Sequence, residues 1–218
     1  NKNIEIVSIN NGYDEIDLEI DEDMINLRKK YGFNIDDFLI TYIGNIGWPQ
    51  GLKTIIKCIK DEKDLKLILI GDGSERKEIE KIKIELSIEN LILINTIPKN
   101  KIKFYYAISD ALLVHLRKSE VLDLTIPSKI YEYLITKNPI VYGLSGEAKK
   151  LLDSMPGCIY FEQENCKSFI ESICILKNNY LKYKNESILR RDIVTEKYSR
   201  KVISKKFNEV VSGFLIDD

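Results

Sequence analysis

From Phe38 onward the chain alternates short β-branched runs with amphipathic segments, and this rhythm constrains the fold more than any other feature. Strands are predicted at 38–43, 65–70, 91–95, 111–116, 139–142 and 158–161. Helical patterns fall between them at 52–60, 75–86, 101–108, 128–136 and 146–153. Strands separated by helices of about ten residues cannot close hairpins; each connection must cross the sheet, so the strands run parallel and helices cover both faces. A doubly wound α/β sheet is expected, and 218 residues at 44% hydrophobic content suit one such domain.

Charge narrows the partners. Lys and Arg number 33 against 34 Asp and Glu, a net charge of -1, which offers no uniform basic field for nucleic acid. The distribution is lopsided: Asp14, Glu15, Asp17, Glu19, Asp21, Glu22 and Asp23 crowd the beginning, whereas residues 165–213 carry eleven Lys and Arg against five Asp and Glu. From Tyr198, apolar residues recur near helical period at Val202, Phe207, Val211 and Phe214, among Arg200, Lys201, Lys205 and Lys206. Such a helix packs on its own domain, meets another domain, or lies on an anionic membrane. No apolar stretch approaches the roughly 20 residues of a membrane helix. The opening Asn1-Lys2-Asn3-Ile4-Glu5 lacks the core of a signal peptide and reads as mid-protein sequence, so a cytoplasmic chain preceded by another domain is expected. Cys58, Cys158, Cys166 and Cys174 show no two-residue spacing and, with His115 as the lone histidine, make a poor metal set. They are expected to be reduced.

In a parallel sheet, ligands sit beyond the carboxyl ends of the strands, where loops run into helix N-termini. Those loops are 44–51, 71–74, 96–100, 117–127 and 143–146. The first, Gly44-Asn45-Ile46-Gly47-Trp48-Pro49-Gln50-Gly51, has the glycines that let amides approach an anion, yet no Lys or Arg, and a plain turn explains it as well. In the second, Gly71-Asp72-Gly73-Ser74, either Asp72 or Ser74 can cap the next helix without any ligand. His115 ends a strand near the cleft and is read as packed rather than reactive.

The stretch from Arg117 to Leu134 is the richest. Pro127 suits a first turn and Ser128 a cap, which places Lys129 in the first turn of a helix, where its charge opposes the dipole by a few tenths of a kcal/mol. An anion in the same place would explain it. Glu132 lies one turn on, so both side chains share a face, and a carboxylate is the natural acceptor for ribose hydroxyls. A surface Lys–Glu pair at helical spacing is the plain alternative.

Taken in order, Asn11-Gly12-Tyr13-Asp14, Tyr42 to Gly47 with Gln50-Gly51-Leu52, Ile70 to Glu75, Ser109-Asp110, and Ile126 to Leu134 with Pro139-Ile140-Val141 resemble the C-terminal domain of retaining glycosyltransferases of family 4. The likeness is greatest to the branch that builds bacterial capsule and O-antigen sugars, and it covers nearly the whole chain. It implies the Rossmann-like half of a two-domain GT-B enzyme. This half would bind a nucleotide-sugar, a UDP-linked hexose or N-acetylhexosamine being expected, while an N-terminal domain of the same polypeptide binds a polysaccharide or lipid-linked acceptor. Residues 1–20 would be the interdomain segment, residues 198–214 would pack toward that domain, and the full enzyme could touch the inner face of the membrane peripherally.

The resemblance also assigns residues. Lys129 and Glu132 would carry the chemistry, Lys129 on the diphosphate and Glu132 on the ribose. Ser128, Thr125, Gly44, Asn45, Gly47, Gln50, Gly71 and Gly73 would complete the donor site, and the base would lie against 96–99, including Ile97. Arg117 or Lys118 would stand farther out. No metal or cofactor is implied, because cationic side chains and amides neutralise the leaving group. Many members have Arg and Lys where this chain has Asn45 and Gln50, and a Glu where it has Leu124, so Lys129 carries most of the charge, with Thr125 or Glu120 as substitutes near the sugar. Alternatives left open are a UDP-sugar 2-epimerase and a non-catalytic α/β interaction module.

Overall fold

In a computed structural model the backbone is described at residues 7, 9, 11–13 and 18–216 and the side chains to residue 213. The first five residues, the acids Asp14, Glu15 and Asp17, and the side chain of Phe214 fall outside the described residues.

Six strands form one sheet: β1 (Phe38–Ile43), β2 (Leu65–Ile70), β3 (Leu91–Ile94), β4 (Ala111–His115), β5 (Ile140–Gly143) and β6 (Cys158–Tyr160). Their order is β3-β2-β1-β4-β5-β6 and every pairing is parallel. The chain winds outward from β1 to β3, then returns to start β4 beside β1. The strand order therefore reverses between β1 and β4, which opens a crevice at their carboxyl ends. The predicted strands shift by one residue at most, because the last rung between β4 and β5 pairs His115 with Gly143.

Period-two alternation sorts the strand side chains onto two faces. Leu39, Ile43, Ile68, Leu112, Val114 and Tyr142 pack under α1 (Met24–Lys30), α4 (Lys99–Ile108), α6 (Lys129–Leu134), α7 (Gly146–Asp153) and α9 (Tyr180–Tyr198). Ile40, Tyr42, Leu67, Leu69, Leu113 and Val141 pack under α2 (Leu52–Cys58), α3 (Arg76–Glu85) and α8 (Cys166–Asn178). Both faces are covered, as the sequence pattern requires. Helices α1, α8, α9 and the single turn α5 (Glu120–Asp123) were not among the predicted elements. The expected terminal helix is α10 (Arg200–Ile216), and its Val202, Phe207 and Val211 are exposed.

Two buried arginines tie helix ends to the sheet. Arg190 of α9 is fully buried and donates to the carbonyls of Leu134, Thr136, Asn138, Pro156 and Gly157. Arg28 donates twice to the Ile108 carbonyl and pairs with Asp110 at 2.8 Å. Each guanidinium satisfies carbonyls that would otherwise be buried without partners.

The expectation of four reduced cysteines is corrected. Cys58 and Cys166 form a disulfide that joins the end of α2 to the start of α8, with Cα atoms 5.0 Å apart, while Cys158 and Cys174 are free. Cys58 and Cys166 are 108 positions apart in sequence, and only the packing of α2 against α8 brings them together. No helix among the described residues is long and apolar enough to cross a membrane.

Candidate functional site

The loop after β1 is held by the loop after β2. The amide of Gly44 donates to the Ile70 carbonyl (2.9 Å), that of Ile46 to Asp72 (2.8 Å), and that of Glu75 back to Ile46 (2.9 Å). A Cβ on Gly71 would lie 1.9 Å from the Gly44 carbonyl oxygen, and its φ of +143° also favours glycine. One on Gly73 would lie 2.5 Å from that of Ile46. These glycines are required by the contact between two loops, whatever ligand lies beyond them. Neither Asp72 nor Ser74 caps α3, contrary to expectation. The Asp72 carboxylate takes the Gly73 amide (2.8 Å), and the chain enters α3 through Glu75, which makes no side-chain cap bond.

Within the first loop, Gln50 works inward. Its Oε1 accepts the Gly47 amide (3.1 Å) and the Asn45 side-chain amide (3.4 Å). Its carbonyl faces Nδ1 of His115 at 2.7 Å. The other imidazole nitrogen, Nε2, accepts the amide of Glu164 at 3.2 Å, so Nδ1 carries the proton and the ring is neutral. Burial pushes the His115 pKa down to about 4, against the pull of the Gln50 carbonyl, and the ring stacks on Phe161. His115 is a packed residue, as read from the sequence.

The cation missing from this loop arrives from the loop after β4. Arg117 donates to the Trp48 carbonyl (2.8 Å), stacks 5.3 Å from that indole, and pairs with Glu164 at 3.3 Å. Its guanidinium also lies 3.8 Å from Oε1 of buried Glu75, which Lys53 holds at 2.7 Å; Oε2 of Glu75 is buried without a hydrogen bond. Lys118 pairs instead with Glu162.

Across the crevice, α6 presents the other predicted residues. Ser128 does not cap it: the residue is already helical (φ -57°, ψ -30°) and its side chain takes no capping amide. The turn closes instead through the amides of Ile130 and Tyr131, which bond the carbonyls of Pro127 and Ser128. Nζ of Lys129 and Oε2 of Glu132 meet at 2.7 Å, each side chain about one quarter exposed. The hydroxyl of Tyr106 reaches the same Glu132 oxygen at 3.5 Å, and burial, followed by that carboxylate, holds the phenol well above its ordinary pKa. Beside Glu132, the fully buried Tyr133 accepts the amide of Ile43 (2.8 Å), the residue before Gly44. The same hydroxyl donates to the Ile43 carbonyl at 3.4 Å, and the two bonds fix α6 against the mouth of β1.

Two clefts result. Gly44, Asn45, Gly71 and Ile97 line a cleft of about 300 Å³ at the ends of β1 and β2. Ser128 and Glu132 line a smaller one, about 100 Å³, with Asn11, Gly12, Lys99 and Arg200. Helix α4 walls both, Ile102 facing the first and Lys99 the second. Gly47, Gln50, Gly73, Thr125 and Lys129 line neither; the Thr125 hydroxyl is spent on the Leu122 carbonyl (2.8 Å) and Lys129 reaches the second cleft only through its pair with Glu132. Leu124, which stands where many members have a Glu, is 80% exposed. Three positions escaped the sequence reading: Tyr106 and Tyr133, whose partners are 26 and 90 residues away, and Arg200, brought in by the bridge between Tyr13 and Ser199.

Comparison with known proteins identifies the fold and the family. The chain is 25% identical over 158 residues to the putative colanic acid biosynthesis glycosyl transferase WcaI of Escherichia coli K12, covering 70% of this chain and 39% of that protein. Its fold matches Anabaena Alr3699/HepE, solved in complex with UDP-glucose, at a TM-score of 0.80 and 18% identity over 94% of this chain and 57% of that one. It also matches the C-terminal domain of a Francisella tularensis group 1 glycosyl transferase, LpcC, at 0.64 and 18%, over 82% and 94%. The chain thus spans less than half of its curated relative, while it matches nearly the full length of an isolated C-terminal domain. The model of the family described as glycosyl transferases group 1 matches residues 23–187, and the chain belongs to that family.

Proposed function

We propose that this chain is the donor-binding half of a retaining family 4 glycosyltransferase that takes a hexose or N-acetylhexosamine from a UDP-linked donor. The observation that carries the reading is the bond from Ile43 to Tyr133, which ties α6, the helix that bears the Lys129–Glu132 pair, to the end of β1 where the strand order reverses. The base would enter the cleft by Ile97, the ribose would meet Glu132, and the diphosphate would displace Glu132 from Lys129. An ammonium so placed stabilises charge that grows as the glycosidic bond breaks, which accelerates the step rather than merely binding substrate. The HepE structure with UDP-glucose supports a uridine donor on the same fold.

The acceptor, a growing polysaccharide or a lipid-linked sugar, would be bound by an N-terminal domain of the same polypeptide. The bare apolar stripe of α10, Val202, Phe207 and Val211, suits contact with such a domain, or peripherally with a membrane. No metal is needed in this scheme. An epimerase would want additional proton-transferring groups, and both nitrogens of His115 are already engaged. Calorimetric titration with UDP and GDP tests the proposal: UDP should bind at submillimolar concentration, and failure of both nucleotides at millimolar concentration would remove the donor site.

A further inference from the structure

Tyr106 stands one layer behind the donor site. It is buried and lines neither of the two clefts, yet its hydroxyl donates to Oε2 of Glu132 at 3.5 Å, the same oxygen that Lys129 holds at 2.7 Å. The rest of the residue is fixed independently. Its carbonyl accepts the side-chain amide of Asn138 at 2.9 Å, and that amide also bonds the Ser109 carbonyl at 2.6 Å. Its ring lies edge-on to that of Tyr133, with centroids 5.8 Å apart, and Tyr133 is bonded in turn to Ile43. The phenol oxygen is therefore delivered to Glu132 by α4, Asn138 and α6 together.

The two donors to Glu132 respond differently to a ligand. Lys129 is charged and about one quarter exposed, and a diphosphate competes with Glu132 for its ammonium. Tyr106 is neutral and has one proton to give, which goes to the carboxylate. Burial, followed by the Glu132 charge, holds the phenol well above its ordinary pKa, so it keeps that proton at neutral pH. When the ammonium turns to a diphosphate, the Tyr106 hydroxyl stays on Oε2. A carboxylate already held in place spares the ligand the cost of ordering it, and a loose one does not.

We infer that Tyr106 is a positioning residue of the donor site: it holds the Glu132 carboxylate in the orientation that accepts the hydroxyls of a ribose, and so favours ribonucleotides without touching them. The inference rests on the donor site proposed above. It adds to that site a residue 26 positions from Glu132 and on a different helix.

Calorimetric titration of the full chain with UDP and with its 2′,3′-dideoxy analogue tests this in the parent, Tyr106→Phe, Glu132→Ala and the double variant. Phe fills the same space, keeps the contact with Tyr133 and removes only the hydroxyl, and the melting temperature checks that the fold is kept. The parent should prefer UDP to the analogue. Tyr106→Phe should lose about three- to tenfold in UDP affinity, leave the analogue's affinity unchanged, and add no further loss once Glu132→Ala is present. A tyrosine that serves only the packing would weaken both ligands alike, and that result overturns the inference. An undiminished preference for UDP in Tyr106→Phe overturns it too, while the donor site stands. Failure of the parent to bind UDP removes both.

Discussion

His115 and Gln50, 65 residues apart, are joined by a 2.7 Å hydrogen bond from an imidazole nitrogen to a backbone carbonyl, and the same ring takes the Glu164 amide on its other side. One neutral side chain thereby holds the glycine-rich loop in register with the loop that follows β6. Protonation breaks the second bond, since Nε2 can no longer accept.

The folded pKa of about 4 lies below the ordinary 6.5, so the unfolded chain binds the proton first as pH falls. The stabilisation is fully present above pH 6.5 and is lost progressively as pH drops to about 4, amounting to about 3 kcal/mol in all. Denaturant unfolding at a series of pH values should show this slope in the parent. His115→Phe should remove it, while costing about 2–4 kcal/mol at neutral pH for the two backbone groups left unpaired.

Gly71→Ala should be among the most damaging single substitutions, costing more than about 3 kcal/mol, because its Cβ would stand 1.9 Å from a backbone oxygen that other bonds hold in place. Gly213→Ala is the control. That glycine lies exposed in α10 with no atom of the described residues outside its own helical turn within 4 Å of the new methyl, and the change should stabilise by about 0.5–1 kcal/mol. Thermal unfolding of the two variants checks both signs.

The disulfide gives a count. Thiol titration of the unfolded, unreduced chain should find two reactive thiols, Cys158 and Cys174, rising to four after reduction. Closing a loop of this length stabilises by up to about 4 kcal/mol in the chain-entropy picture, so reduction should lower the melting temperature measurably. Four thiols before reduction would restore the all-reduced reading.

How much of this was legible in the sequence follows from how local each signal is. Strands such as 38–43 and 65–70 were read to the residue, because burial on both faces writes itself as a continuous apolar run. Helix α9 escaped, since it faces the core through Ser187, Arg190 and Val194, an apolar stripe too sparse to show. The partnership of Lys129 with Glu132 was readable from spacing. The bond from Tyr133 to Ile43 that aims the pair was not, nor was the meeting of Cys58 with Cys166, because both depend on packing between distant segments. The supposed cap at Ser128 was misread for a similar reason: the residue has the right type but already lies inside the helical turn.

Lys129 bears the central claim, and its charge can be isolated by comparing UDP with uridine. The single tryptophan, Trp48, sits exposed on the loop after β1 and provides a fluorescence signal beside calorimetry. Lys129→Ala should weaken UDP binding by about tenfold or more, which corresponds to about 1.4 kcal/mol for one lost charge-assisted contact, and leave uridine binding unchanged. Equal UDP affinity in parent and variant would contradict the account.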